Sequence, residues 1–418
     1  MAAPTQEAAA MHDTALYEYL LGLQAPWTVS QVELDVQRRQ VDVWAEHTPG
    51  VHWPCPECAA QGRLYDHAEE RVWRHLDSCQ YRTYLHARIP RVRCVAHGVV
   101  QVQVPWAEPK ARFTRLFERL AIDVLRECSV TGATQILGLS WDEAWHLMER
   151  AVARGQSRKA CRVIPHLGVD EKAIAKGHRY LTLVCDLAAG TVEYVGEERK
   201  QASLEAYYQH LSAEQRHGIE AVAMDMWEPY IQATRAHVPA AEEKIVFDRF
   251  HLMGYLGEAV DTVRKQEHRE RMAQGDQTLK GTKYLWLYSR EHVPAARRGE
   301  FIALRRLELK VGRAWAIKET LRQLWHFRYP GAARRFWQRW YFWATHSRLK
   351  PIREAAATLK RHLANILTYC RHRITNAVSE GLNSKIQTIK HMAYGFRNVD
   401  HFKTAIYFHC GGLDLYPC

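Results

Sequence analysis

Three carboxylates set at wide intervals, Asp170, Asp225 and Glu380, have the surroundings that phosphoryl-transfer chemistry requires. Asp170 ends the run His166-Leu167-Gly168-Val169, and Asp225 ends Ile219-Glu220-Ala221-Val222-Ala223-Met224, so each acid closes a short apolar strand. Glu380 is the one carboxylate in RHRITNAVSEGLNSKIQTIKHMAYGFRN (371–398), which also carries Arg371, Arg373, Lys385, Lys390 and Arg397. Written as a helix, that stretch places Asn376, Glu380, Asn383 and Gln387 on one stripe and Val378, Leu382, Ile386, Ile389 and Ala393 on a nearly opposite one. Two strand-end aspartates and a helical glutamate can hold a pair of Mg²⁺ ions, one activating an attacking oxygen and one stabilising a leaving oxygen. Either aspartate alone suits an ordinary strand-end turn; the combination is what points to chemistry.

A second constellation lies upstream. Cys55-Pro-Glu-Cys58 and Cys94-Val-Ala-His97 are two knuckle-like pairs, and the alternating stretches between them (84–89 and 91–93) suit strands. Two short-spaced pairs on hairpin turns can supply the four N/S ligands of one structural Zn²⁺ and so staple a module too small for a core of its own. Ribbons of this kind usually carry Cys at the position of His97, so His75 and Cys79 stand as alternative fourth ligands.

The elements that must position these groups follow from periodicity. An amphipathic helix is expected from Phe113, then a short helix with Ala133, Ile136 and Leu137 on one face. Gly138-Leu139-Ser140 makes a tight turn with Ser140 as N-cap, and Ala144, Trp145 and Met148 begin the next helix. This is a helix-turn-helix pattern whose second helix would present Trp141, Asp142, Glu143 and His146 toward a major groove. After Pro165 the period changes: strand 166–170, a hairpin of 180–185 with 191–195, a helix over 204–215, strand 219–225, strand 244–247, and a helix opening at Asp248-Arg-Phe-His251. If the first and fourth strands are parallel neighbours in a mixed sheet, Asp170 and Asp225 meet at one edge. From about Tyr255 to Tyr369 the pattern is helical and basic, as in an inserted all-α domain. The expected divisions are 1–48, 49–105 (ribbon), 110–160 (helix-turn-helix), 163–254, 255–370 (insertion) and 371–418, a multidomain α+β chain.

Charge indicates the partner. The 418 residues carry net charge +12, yet between Arg290 and Arg373 there are 20 Lys/Arg against 5 Asp/Glu, a surplus of 15 that exceeds the charge of the whole chain. A polyanion is therefore expected to meet this segment, with Arg334, Arg335 and Arg339 among the phosphate contacts. Its tryptophans (Trp315, Trp325, Trp337, Trp340, Trp343) could stack bases, although aromatics at helical spacing usually pack inward. The start lacks a basic segment followed by an apolar one, and no run of 18 apolar residues occurs, so a cytoplasmic protein with no membrane partner is expected. The ten cysteines then read as thiols or metal ligands rather than disulfides.

In order, the ribbon, the helix-turn-helix, GVDEKAIAKGHRY, AVAMDMWEPYIQA, FDRFHLM and TNAVSEGLNSKIQTIKHMAYGFRN resemble the bacterial insertion-sequence transposases of the ISL3 family over roughly residues 50–410. The resemblance implies an RNase H-like catalytic domain whose acidic triad is Asp170, Asp225 and Glu380, using two Mg²⁺ or Mn²⁺ ions. It also implies supporting roles for Asp248 and His251. Asn376 and Asn383, one turn to either side of Glu380, would orient its carboxylate or touch DNA, while Lys385, Lys390 and Arg397 would hold phosphate. The implied partners are the element's terminal inverted repeats and target DNA, bound by a homodimer or larger assembly associated with the nucleoid. His97 departs from the family pattern, where a cysteine is typical. A regulator that binds DNA without cutting it is the competing reading, to be separated by metal-dependent nicking.

Overall fold

The computed structural model describes residues 13–175 and 179–418, in two units: Met1–Lys159 with Leu413–Cys418, and Ala160–Gly412. Residues 1–12 of the expected N-terminal segment, and Lys176, Gly177 and His178 of the quoted GVDEKAIAKGHRY, lie outside the described residues.

In the first unit, helix α1 (Asp13–Leu21) precedes strands β1 (Trp27–Asp35) and β2 (Gln40–His47), an antiparallel pair. A two-residue hairpin, β3 (Trp53–Pro54) and β4 (Gln61–Gly62), leads to the long antiparallel pair β5 (Leu64–Arg74) and β6 (Arg82–Cys94), and β7 (Gly98–Gln101) folds back on β6. Alternation in β6 buries Thr83, Leu85, Ala87 and Ile89, the last three packing with Trp27, Trp73 and Trp106. Because β2 pairs with β6 in parallel, the boundary expected between residues 48 and 49 runs through this sheet. The strands of 27–47 are thus part of the scaffold that carries the ribbon.

Three helices follow, α2 (Arg115–Glu127), α3 (Val130–Leu137) and α4 (Trp141–Arg158). Gly138 ends α3 in the left-handed region at φ 64°, which glycine adopts without steric cost. Ser140 caps α4 in a reciprocal box with Glu143. Ala133 and Leu137 are buried as expected, but Ile136 is exposed because the short helix turns that edge outward. Glu118 of α2 is buried and held by Arg150 (2.5 Å) and Arg154 (2.9 Å) of α4, and Arg154 also reaches Glu108 (2.6 Å) and the carbonyl of Leu415 (2.6 Å).

The second unit is built on strands β8 (His166–Ala175), β9 (Arg179–Asp186), β10 (Thr191–Glu197), β11 (Ala221–Met224) and β12 (Ile245–Phe247), in the order β10-β9-β8-β11-β12. The hairpin β8-β9-β10 is antiparallel, whereas β8-β11 and β11-β12 are parallel. The helix expected over 204–215 divides into α5 (Gln201–His210) and α6 (Ala213–Gly218), since Ser212 starts a new capping box with Gln215. Helices α7 (Glu228–His237) and α8 (Ala241–Lys244) lie between β11 and β12 in the chain.

Asp248 then caps α9 (Arg249–Met272), accepting from the Phe250 N–H at 3.1 Å. Buried Leu252, Leu256, Ala259, Val260 and Val263 keep one helical face apolar as far as Val263, with buried Arg264 and Glu267 beyond, so α9 crosses the boundary expected at 254–255 unbroken. The basic segment is helical: α10 (Lys283–Leu287), α11 (Arg298–Arg306), α12 (Lys310–Leu321), α13 (Pro330–Thr345), α14 (Lys350–Arg361), α15 (Leu363–Leu367) and α16 (Tyr369–His372), with short 3₁₀ turns. Five of its tryptophans, 286, 315, 325, 337 and 340, are buried, and Trp343 is partly exposed. Helices α17 (Ala377–Met392) and α18 (Val399–Cys410) complete the unit.

Candidate active site

Strand register brings two of the acids together. Ala221 pairs with His166, Val222 with Leu167 and Ala223 with Gly168, so two residues further along each parallel strand Asp225 draws level with Asp170. Asp170 is 9% exposed; its Oδ1 accepts from the Glu171 N–H (2.8 Å) and its Oδ2 from the Asn383 side-chain amide (2.7 Å). Asp225 accepts from the Met226 N–H (2.6 Å), and its Oδ2 lies 3.8 Å from both His251 Nδ1 and Arg199 Nη2. Asp248 is buried one strand further along, and one of its oxygens has no hydrogen-bond partner.

Helix α17 is seated on β8 through Gly168. A Cβ there would stand 2.3 Å from Ser379 Oγ and 2.7 Å from Asn376 Oδ1, so only glycine lets the helix approach so closely. Asn376 occupies the N-cap position of α17 without a side-chain cap bond; its amide points to the Val169 carbonyl at 3.4 Å. Asn383, two turns along, meets Asp170, and Lys172 donates back to the Asn383 carbonyl (2.9 Å). Glu380 lies between these two asparagines on the same stripe, exposed, with its carboxylate joined to neither aspartate. Leu382, Ile386 and Ile389 are buried, Val378 is half-buried, and Ala393 is exposed where the helix ends.

Electrostatically the pocket is an excess of acid. Burial pushes Asp170 above the usual carboxylate range, opposed by the Glu171 N–H and by His251. Burial also raises Glu171, opposed by Arg199, whose Nη2 is 3.0 Å away, and one Glu171 oxygen is buried without a partner. Arg199 in turn lies over the Trp227 ring at 4.2 Å. One oxygen each of Glu171 and Asp248 is buried without a hydrogen-bond partner, hard-oxygen chemistry of the kind that suits a divalent cation, although the carboxylates are not drawn into one cluster of ligand atoms among the described residues. Glu171, Arg199 and Trp227 are absent from the sequence-level site. Strand alternation assigns Glu171 to the face opposite Asp170, and Arg199 lies in a charged loop that has no motif.

Of the residues expected to touch DNA, Trp141 is exposed and stacks on Trp145 (5.3 Å), and His146 is exposed. Arg334, Arg335 and Arg339 are exposed along α13, and Arg397 is exposed. Lys385 spends one hydrogen bond on the His409 carbonyl (2.7 Å), and Lys390 is half-buried.

In the first unit, the ligand atoms of Cys55, Cys58, Cys94 and His97 all lie within 4.8 Å of one another, the one such His/Cys/Asp/Glu cluster among the described residues. Separations of 3.6 Å (Cys58–Cys94), 3.6 Å (Cys94–His97) and 3.7 Å (Cys55–His97) match the edges of a tetrahedron with Zn–S about 2.3 Å and Zn–N about 2.0 Å. Backbone N–H groups of His97 and Ala96, with the His97 ring, lower the Cys94 thiol to about 6. The alternative ligands stand elsewhere: buried His75 bonds Thr114 Oγ1 (2.9 Å), and Cys79 is exposed and outside the cluster.

Comparison with known proteins agrees with this organisation. A family model described as zinc-finger of transposase IS204/IS1001/IS1096/IS1165 matches residues 52–97, and one described as helix-turn-helix domain of transposase family ISL3 matches 102–152. The ISL3 DDE model, described as transposase, matches 167–406. The transposase for insertion sequence element IS1001 of Bordetella parapertussis is 30% identical over 406 residues, covering 94% of this chain and 97% of that protein. The transposase for insertion sequence element IS1557 of Mycobacterium tuberculosis is 24% identical over 417 residues, covering 93% of each. No helix among the described residues is long and apolar enough to cross a membrane. A helix-turn-helix domain and a transposase domain in one chain make DNA its partner, and a match running through more than half of the sequence places the chain in the ISL3 family of insertion-sequence transposases.

Proposed function

We propose that this protein binds the terminal inverted repeats of its insertion sequence and catalyses DNA strand cleavage and strand transfer at an RNase H-like site formed by Asp170, Asp225 and Glu380. The observation that carries this reading is the parallel pairing of β8 with β11, together with the Asn383–Asp170 bond that ties the Glu380 helix to the same strand end. The strand order β10-β9-β8-β11-β12 supports the RNase H-like assignment. Asp170, Asp225 and Glu380 would hold two Mg²⁺ or Mn²⁺ ions, which supply Lewis-acid stabilisation of the attacking and leaving oxygens. Asn383 orients Asp170, Asn376 fixes the start of α17, and Asp248 with His251 supports Asp225 from the start of α9. Cys55, Cys58, Cys94 and His97 would hold one structural Zn²⁺. Trp141 and His146 would face the groove, while Arg334, Arg335, Arg339, Lys390 and Arg397 would hold phosphate. A dimer or larger assembly on DNA follows from the need to join two ends, in the cytoplasm.

The test is cleavage of end-containing DNA by the purified full chain. Nicking and joining should require Mg²⁺ or Mn²⁺ and be lost in Asp170→Asn, Asp225→Asn and Glu380→Gln variants that bind DNA normally. Cleavage retained by Asp170→Asn would refute the assignment, and binding without any cleavage by the unaltered protein would favour a regulator.

A further inference from the structure

A cavity of about 640 Å³ opens in the second unit at the start of α9. Its lining includes Arg249, Phe250, Arg290, Arg305, Trp315 and Arg322. Two glutamates also line it, Glu291 and Glu319, and Arg322 binds both, at 2.9 Å and 3.0 Å in its longer contacts. That leaves the guanidiniums of Arg249, Arg290 and Arg305 with no carboxylate partner among the described residues, although the Arg290 backbone N–H donates to Glu319 (3.0 Å); Arg305 lies over the Trp315 ring at 4.7 Å. Phe250 is 69% exposed. The cavity adjoins the acid cluster through the chain itself. Asp248 and His251 face the carboxylates, whereas Arg249 and Phe250, between them, line the cavity, and the Phe250 and His251 rings are 5.9 Å apart.

An exposed aromatic face beside unpaired guanidiniums is the chemistry that takes one unstacked nucleotide: the ring stacks the base and the arginines hold its phosphates. The volume falls in the range of sites for single small ligands, roughly 300–1,000 Å³. We propose that this cavity receives one nucleotide swung out of the DNA beside the scissile phosphate, its base on Phe250 and its phosphates between Arg249 and Arg290. Extracting that nucleotide would peel the strand toward Asp225, which lies 3.8 Å from His251, the residue of α9 after Phe250. The inference rests on the proposed cutting role of the neighbouring carboxylates, but its test does not need them to act.

The test measures binding of the full chain, without divalent metal, to two short duplexes. One carries a single extrahelical 2-aminopurine and the other is fully paired. The extrahelical duplex should bind at least about fivefold tighter, the lower end of what stacking of one base contributes. Phe250→Ala should erase that preference, Arg249→Ala combined with Arg290→Ala should weaken it, and Phe342→Ala, an exposed aromatic of α13, should keep it. Equal affinity for the two duplexes, or a preference that survives Phe250→Ala, would overturn the proposal. Cleavage without the preference would sink this inference alone, and the preference without cleavage would sink the catalytic assignment alone.

Discussion

Gly168→Ala adds one methyl group at the seam between β8 and α17, and its effect can be worked out from the packing. The new Cβ would lie 2.3 Å from Ser379 Oγ, 2.6 Å from Leu187 Cδ2 and 2.7 Å from Asn376 Oδ1, all closer than atoms can approach. Ser379 and Asn376 are each only 1% exposed, so neither side chain can swing out to solvent, and α17 must retreat. Overpacking of this kind costs about 1–3 kcal/mol. In a unit of this size that lowers the melting temperature by roughly 2–12 °C. The retreat also lengthens the 2.7 Å Asn383–Asp170 bond and shifts Glu380, and a displacement near 1 Å in a reacting constellation costs on the order of 100-fold in rate. Thermal unfolding followed by circular dichroism, and single-turnover nicking of end DNA with Mg²⁺, measure the two effects on one preparation. Adding Ser379→Ala removes the nearest clashing atom and should restore part of both. If Gly168→Ala melts and nicks like the unaltered protein, the glycine does not set the helix position and the reasoning is wrong.

Other outcomes follow from particular contacts. Burial lowers His75 to about 4, so the folded protein binds this proton less readily than the unfolded chain does. The resulting stability is fully present above the ordinary histidine range and is lost as pH falls from about 6.5 to about 4, a loss of about 3 kcal/mol. A His75→Gln protein should show a flatter melting profile across that window. Arg154→Ala should leave Glu118 buried with Arg150 alone and release the Leu415 carbonyl, costing roughly 3 kcal/mol; limited proteolysis should then trim residues 413–418 faster. Chelation of the cysteine cluster, or Cys94→Ser, should loosen the β3-β4 hairpin, seen as a change in tryptophan fluorescence near Trp53 and Trp27, whose rings are 5.4 Å apart. Unchanged fluorescence with full loss of zinc would show that the metal does not brace this hairpin.

Much of the frame was legible because the signals were local. The run Ala221–Met224 is buried at every position and ends on Asp225, as an apolar stretch closed by an acid should be. Ser140 and Gly138 fulfil the capping roles their types suggest, and the cysteine pairs converge with His97. What escaped depends on distant pairing. No local pattern announces that β2 lies parallel to β6, nor that α9 continues past residue 254. Glu171 and Arg199 enter the site only through tertiary packing, against Asp225 and Trp227. Lys385 reads as a phosphate contact until the His409 carbonyl is seen to hold it. The exposed Glu380 is the position at which sequence and geometry agree on the helix while leaving the carboxylate unlinked.

Helix α9 is 24 residues long and so spans about 36 Å, with Asp248 and His251 at one end and the helical segment's core at the other. The basic segment therefore has no flexible joint at its entry. Excising it at residue 255 would sever a rod whose first turn sets His251 3.8 Å from Asp225, and a linker in its place would leave that turn without the packing that keeps it helical.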